Sequence, residues 1–143
     1  MREILFRGKE DNSNSWRFGI PMKLDAEDAC IIESLFRCEE YMCCGANMIY
    51  VEPETIGEFT GLTDKNGAKI FEGDILDTPN GKWLVVAVRG GFGVVRRSFM
   101  SDYDAKMGFH SGLSEPQNTA YTEENAEVIG NIHDNPELLE DTK

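Results

Sequence analysis

FTGLTDKNGAKIFEGDIL, residues 59–76, contains the clearest structural signal in the chain. Its centre, Asp64-Lys65-Asn66-Gly67, places Asn and Gly where a hairpin turn needs a positive φ, which these residues tolerate best. Apolar residues flank the turn on both sides, and Gly73-Asp74 precedes a second apolar pair, which is typical of a tight corner that feeds another strand. The stretch therefore predicts short strands joined by turns, and it contains no obvious catalytic group.

The N-terminal third of the chain contains one clear hairpin signal and one ambiguous segment. Residues 2–24 predict a hairpin, because the turn cluster DNSN separates two β-favouring segments. Pro21 argues that the second strand ends there or lies at a sheet edge. Residues 25–44 fit a helix capped by Asp25 and with a partial apolar stripe, and ACIIESLF alone fits a short buried strand equally well. Periodicity leaves both structures open.

The rest of the chain continues the β pattern. Asn80-Gly81 predicts a hairpin turn, with strands over residues 83–88 and 92–99. Residues 101–120 are polar and interrupted by glycine, which predicts a long loop. AEVIGNI predicts a closing strand, and PELLE predicts a helical turn that begins with proline. Short strands at regular spacing favour a small antiparallel barrel or sandwich.

Composition and charge favour a cytoplasmic protein without a membrane span. The 143 residues include no apolar run close to the ~20 residues that cross a bilayer, and the N-terminus lacks the apolar core of a signal peptide. The net charge is −12, with nine acids against one base in residues 25–58. Such a field repels nucleic acid in general, although residues 82–106 contain five bases and form a local exception.

All four cysteines fall within residues 30–44: Cys30, Cys38, Cys43 and Cys44. A reducing cytoplasm disfavours disulfides. The spacing C-x7-C-x4-CC also differs from the paired C-x2-C ligands of structural zinc. The cysteines are therefore expected to be small buried residues, with no metal bound.

Nothing in the sequence predicts catalysis. His110 lies in the glycine-interrupted segment and His133 follows the closing strand, so both are expected to be exposed loop histidines without a positioned partner. The chain contains no P-loop, no G-x-S-x-G, no H-E-x-x-H and no dinucleotide fingerprint. We expect no enzyme activity, no catalytic residues and no cofactor.

Three segments resemble a known family as a set. MREILFRGK at the start, VEPETIGEFTGLTDKNGAKIFEGDIL in the centre and AEVIGNIHDNPELLE near the end closely resemble the YopX family of bacteriophage and prophage proteins. The resemblance weakens over residues 25–47 and 100–120. It brings no catalytic residues to this chain, because the family has no established activity.

The resemblance implies a fold and a setting. It implies a mainly β protein with a small antiparallel SH3-like barrel, an appended N-terminal β-rich layer and a short C-terminal helical turn. Residues 1–55 would form the β-rich segment and residues 56–143 the barrel, or the two would form one unit. It also favours a strand over residues 29–36, and a phage or prophage origin with the protein in the cytoplasm of the bacterial host.

The candidate contact surface is a pair of strands that carries both bases and aromatic rings. Its residues are Trp83, Arg89, Phe92, Arg96, Arg97 and Tyr103. Aromatic rings among arginines are how small barrels hold single-stranded nucleic acid. In alternating strands, however, the rings can instead point into the core while the arginines face water.

The functional hypothesis is a non-enzymatic accessory protein that binds a host or phage protein. SH3-like barrels commonly bind through loops, grooves and sheet edges, although a fold does not by itself determine function. Two alternatives rank below it: single-stranded nucleic-acid binding at the basic-aromatic surface, and acidic mimicry of nucleic acid that blocks a host protein. Self-association is a further option, through the REILF strand.

Overall fold

Antiparallel β-strands dominate the chain, as the sequence predicted. The computed structural model describes residues 3–38, 43–79, 81–88, 91–95, 111–112 and 116–139. The chain divides into two compact units, Met1–Phe59 and Thr60–Lys143. The predicted boundary between the two segments, after residue 55, lies four residues earlier in the chain.

The first unit is a sheet of sequential antiparallel strands. Its strand order is β4-β3-β2-β1-β5. The elements are β1 (Phe6–Lys9), β2 (Trp16–Lys23), β3 (Ala29–Cys38), β4 (Cys43–Val51), a 3-10 helix (Pro53–Thr55) and β5 (Gly57–Thr63), which continues into the second unit. The predicted hairpin over residues 2–24 is confirmed by the pairing of β1 with β2. For the ambiguous segment, the strand alternative is correct and the helix is wrong, because β3 pairs with β2 on one side and β4 on the other.

Strand β2 changes partner half-way along its length. Trp16–Gly19 pairs with β1, whereas Ile20–Lys23 pairs with β3. Pro21 lies within the second half, opposite Ile31. Gly19 lies where the partner changes, and an added Cβ there would lie 2.1 Å from the backbone carbonyl oxygen of Ile32. Only glycine allows the two strands to approach this closely.

A small core and one bridge hold the first unit together. The core consists of buried Ala29, Ile31 and Val51, with Phe6 and Ile56 packed against them. An isolated bridge joins Glu10 to Val51. It is flanked by two backbone hydrogen bonds, from Asp11 N–H to the Tyr50 carbonyl at 3.0 Å and from Glu52 N–H to the Lys9 carbonyl at 2.9 Å. The chain just after β1 therefore pairs with the end of β4.

The second unit contains the DKNG turn, residues 64–67, and the strands that follow it. Its strands are β6 (Lys69–Phe71), which pairs with the continuation of β5, and β7 (Asp74–Thr78), β8 (Gly81–Val88), β9 (Gly91–Val95), β10 (Ser111–Gly112) and β11 (Glu127–Asn131). The last five form an antiparallel sheet in the order β10-β9-β8-β7-β11. This sheet does not close on itself over the described residues, and the SH3-like barrel stays a prediction.

Apolar clusters pack on both faces of this sheet. Neighbouring residues on a strand point to opposite faces, so one strand contributes side chains to both clusters. Leu76 and Val85 belong to a core cluster with Ile70, Phe92, Val94 and Ala126. Their neighbours Ile75 and Leu84 pack on the other side with Leu139. The predicted helical turn at PELLE is present as a 3-10 helix, Pro136–Leu139, and it supplies Leu139 to that second cluster.

The predicted loop over residues 101–120 is wrong in its last part. Helix α1 spans Pro116–Asn125, while residues 101–110 lie outside the described residues. The helix sequence shows little apolar periodicity, so tertiary contacts must supply its stability. Buried Thr122 and Ala126 fulfil this role: the Ala126 N–H donates to the Thr122 carbonyl, and Ala126 is part of the core.

Candidate functional site

One side of the first unit exposes a set of large apolar side chains. They are Phe18, Ile20, Met22, Leu24, Met48 and Tyr50, and we call them the apolar face. Their exposed fractions run from 42% for Met22 to 58% for Tyr50. Scattered exposed apolar residues are ordinary on a protein surface. A contiguous set is not, and contiguity follows from the strand register.

Alternation along β2 and the register across β3 place these residues in rows. In β2, every second residue points to the same side of the sheet, which groups Phe18 with Ile20 and Met22. Residues directly opposite on antiparallel strands also share a side. Ile20 is opposite Ile32, which is opposite Met48.

The next row of the face explains why one cysteine is covered. Met22 is opposite Cys30, which is opposite Tyr50. Cys30 is a free cysteine and only 1% exposed, although it belongs to this side of the sheet. It lies between two larger side chains in the register. For Cys30 the prediction of a small buried residue is confirmed, whereas the side chains of Cys38, Cys43 and Cys44 lie outside the described part of the structure.

The other side of the same three strands already contains the core of the first unit. Ala29, Ile31 and Val51 alternate with the residues of the apolar face and are buried. The first unit therefore has a covered side and a second, exposed side that is also apolar. Exposed patches of this kind mark interaction sites in soluble proteins.

Acidic residues lie at one end of the apolar face, in the loop between β2 and β3. Asp25, Glu27 and Asp28 are exposed there, and we call them the acidic loop. The loop is held by its own hydrogen bonds: Asp25 Oδ1 accepts from the N–H groups of Glu27 at 2.8 Å and Asp28 at 2.9 Å. The Leu24 N–H donates to the Asp28 carbonyl at 2.9 Å. These bonds close the backbone of the acidic loop directly after Leu24, the last residue of the apolar face.

The arginines of this region are engaged inside the first unit. Arg17 Nε donates to Glu10 Oε1 at 2.7 Å, and its Nη1 lies 3.3 Å from Glu33 Oε2. The hydrogen bond and charge of Glu10, followed by the charge of Glu33, raise the pKa of Arg17 above its ordinary value. The Arg7 guanidinium carbon lies 4.7 Å from the centre of the Trp16 ring, a cation–π contact. Neither positive charge is available to offset the acidic loop.

The carboxylate of Asp64 accepts three backbone hydrogen bonds in the second unit. Its Oδ1 accepts from the N–H groups of Asn66 at 2.8 Å and Ala68 at 2.9 Å, and its Oδ2 accepts from the Val128 N–H at 2.9 Å. Burial alone would raise the pKa of Asp64, but the three backbone donors, with a smaller effect of Lys65, lower it below its ordinary value. The hydrogen bonds engage both oxygens, so Asp64 holds a turn in place and is not suited to proton transfer.

A polar pocket of about 300 Å³ opens on the second unit. It is lined by Lys65, Asp77, Thr78, Pro79, Glu124, Asn125 and Glu127. Among the described residues, no group of three or more His, Cys, Asp or Glu side chains is arranged to hold a metal ion. The lining mixes one lysine with three carboxylates and shows no arrangement typical of a particular ligand.

The predicted contact surface falls only partly on described residues. Phe92 is 7% exposed and belongs to the core of the second unit, and Trp83 is partly buried against that core. Arg89, Arg96, Arg97 and Tyr103 lie outside the described residues. The rings of Phe92 and Trp83 pack in the core or against it. That the predicted surface contacts a ligand stays a prediction. Of the histidines, His133 is exposed, as expected, and His110 lies outside the described residues.

Sequence reasoning missed the apolar face, although a signal was present. Phe18, Ile20, Met22 and Leu24 alternate through SWRFGIPMKL, the pattern of a strand with one apolar side. The usual interpretation assigns that side to the core. In the structure this side is exposed, and the core of the first unit lies on the other side of β3 and β4.

Comparison with known proteins places the chain in a family. The YopX protein family model matches residues 5–140, nearly the whole chain. The chain is a member of the YopX family. No protein in the curated set matches it.

One solved structure resembles this YopX chain over its full length. It is the crystal structure of protein EF1440 from Enterococcus faecalis, with a TM-score of 0.57 and 24% identity. The match covers 98% of this chain and 100% of the other. At that identity the likeness shows a shared fold and carries no function across.

Among the described residues, no helix is both long and apolar enough to cross a membrane.

Proposed function

We propose that this YopX protein is a non-enzymatic accessory protein, encoded by a phage or prophage, that binds a host or phage protein through the apolar face. It acts in the bacterial cytoplasm, and its second unit completes an SH3-like barrel. The observation that carries the proposal is the apolar face itself. Two rows of apolar side chains cross β2, β3 and β4 on the side opposite the core.

Energetics favour a protein as the ligand. Each apolar side chain removed from water contributes about 25 cal/mol per Å² of buried surface. Protein interfaces bury large apolar and aromatic side chains at their centre with a polar rim around them. Met48 and Tyr50, both of types enriched at interface centres, are among the most exposed members of the face.

The nucleic-acid alternative has less support from the described residues. Stacking with bases requires exposed rings, but the Phe92 ring is 7% exposed and packs in the core. The apolar face itself contains Tyr50 and Phe18, but the exposed carboxylates of the acidic loop outnumber the one exposed lysine beside them, Lys23, and carboxylates repel phosphate.

The test is a pull-down of the tagged protein from bacterial lysate, with and without nuclease, using three versions of the chain. The wild type is compared with an Ile20→Gln, Met48→Gln variant and with an Ile4→Gln control. Ile4 is 67% exposed but precedes β1, outside the apolar face. We expect one protein to be captured by the wild type and the control, regardless of nuclease, and to be lost with the face variant. Capture that disappears with nuclease, or that the face variant retains, would contradict the proposal.

A further inference from the structure

The charges next to the apolar face are mostly negative, and this limits which partner can cover it. From Phe18 to Glu33 the chain contains four acids, Asp25, Glu27, Asp28 and Glu33, and one base, Lys23. Strand β4 contains no charged residue between Cys43 and Val51, and Glu52 and Glu54 follow it directly.

The local ion pairs leave this imbalance in place. Glu33 forms an ion pair with Arg17, and Arg17 forms a second ion pair with Glu10. The carboxylate of Asp25 is used by the backbone of its own loop. Glu27 and Asp28 are exposed and follow Leu24, the last residue of the face, in the chain. A partner that covers Leu24 and Met22 therefore comes within reach of both.

We infer that the apolar face binds a protein segment in which apolar side chains are combined with lysine or arginine. This inference rests on the proposed function and adds the chemistry of the partner. Complementary charge at the rim of an apolar contact mainly raises the association rate and selects the partner. An acidic partner would place like charges against the acidic loop, and that juxtaposition is unfavourable.

A second copy of this chain is a poor fit to the same face. A two-fold contact brings the same patch of both copies together, so it would place two acidic loops at the rim of one interface, on subunits that each have a net charge of −12. Repulsion of this kind opposes association at moderate ionic strength. The occupant is therefore a different, basic protein segment.

The experiment uses the intact chain as bait for a displayed library of random peptides, with synthetic peptides made from the selected sequences. We expect the selected peptides to combine apolar residues with an excess of Lys and Arg. Their affinity is expected to fall on going from low salt to about 0.5 M NaCl, because salt screens exposed charges. Selection of neutral or acidic peptides would overturn the inference.

Charge reversal then tests the acidic loop directly. The Glu27→Lys, Asp28→Lys variant leaves the backbone hydrogen bonds of the loop and the Asp25 carboxylate in place. Two reversed rim charges are expected to weaken peptide binding roughly tenfold. The matched control is Glu123→Lys, Glu137→Lys, which reverses two exposed carboxylates in the second unit and should leave binding unchanged. Equal loss in both variants would show a general charge effect and contradict the inference.

The outcomes separate this inference from the proposed function. If Ile20→Gln, Met48→Gln abolishes peptide binding while the acidic-loop variant binds normally, the face is a docking site but the basic partner is wrong. If the face variant binds normally, the proposed function fails as well. Sedimentation equilibrium provides a last test: a dimer that Met48→Gln dissociates would show that a second copy covers the face and would overturn the inference.

Discussion

The backbone N–H of Val128 donates to the carboxylate of Asp64 across 64 residues of sequence, with a distance of 2.9 Å. The same carboxylate caps its own turn through Asn66 and Ala68. Lys65 N–H also donates to the Ala126 carbonyl at 2.9 Å. The DKNG turn is therefore attached to the start of β11. The carboxylate of Asp64 holds the fold together at this point.

Replacing Asp64 with Asn should destabilise the second unit by about 2–3 kcal/mol. The substitution places an amide NH₂ where a carboxylate oxygen now accepts from a backbone N–H, so at least one donor loses its partner in a buried site. Urea unfolding followed by circular dichroism measures the loss. Asp77→Asn is the control, because Asp77 is exposed in β7; an equal loss at both positions would refute the anchoring role.

Acidification should reduce the difference in stability between wild type and Asp64→Asn. The folded-state pKa of Asp64 is lowered, so its contribution is fully present above the unfolded-state pKa, near pH 4, and is lost as pH falls through the folded-state pKa. The measurement is the free energy of unfolding of both proteins from about pH 6 downward. If the difference in the free energy of unfolding grew on acidification, the pKa of Asp64 would not be lowered in the folded protein.

Gly19→Ala should cost the first unit about 3 kcal/mol, because the new Cβ would meet the Ile32 carbonyl oxygen and force β2 and β3 apart. Gly8→Ala provides a graded comparison. There the nearest atom is Val51 Cγ2 at 3.0 Å, a tight contact with a side chain and a less severe one than the 2.1 Å approach to the backbone at Gly19. We expect a smaller shift of the thermal midpoint for Gly8→Ala than for Gly19→Ala. The reverse order would show that the close approach at Gly19 is not what limits the strand spacing.

Polar substitutions on the apolar face should leave stability unchanged. Met48 and Tyr50 are more than half exposed, and surface substitutions of this kind usually change the free energy of unfolding by less than about 0.5 kcal/mol. Met48→Gln, Tyr50→Gln should keep the wild-type thermal midpoint but bind less of a fluorescent dye that reports exposed apolar surface. Val51→Gln, on the covered side of the same strand, is the contrasting variant and should unfold the unit. A large loss of stability in the face variant would mean that the face is part of the core.

Local signals in the sequence predicted the turns well. The DKNG turn forms as predicted, but its positive φ falls on Gly67 alone, at +85°, and not on Asn66. Most predicted strands that fall on described residues were also correct in position. Turns and alternating strands depend on residues a few positions apart, so a single sequence contains the necessary information.

The segment around residues 29–36 shows where such information ends. ACIIESLF fits a helix or a strand by its own pattern. Pairing with β2 on one side and β4 on the other makes it a strand. Helix α1 was missed for a related reason, since Ala126 and Thr122 stabilise it by burial and not by an apolar stripe.

Local patterns in the chain are enough to predict a mainly β protein of the YopX family with a turn at residues 64–67. Which side of each strand is covered follows from tertiary packing. Phe18, Ile20 and Met22 alternate as core residues do, yet they are exposed, and the core of the first unit lies on the other side of the sheet, around Ile31 and Val51. Alternation tells which residues share a side, whereas burial depends on what packs against that side, and distant parts of the chain supply that contact.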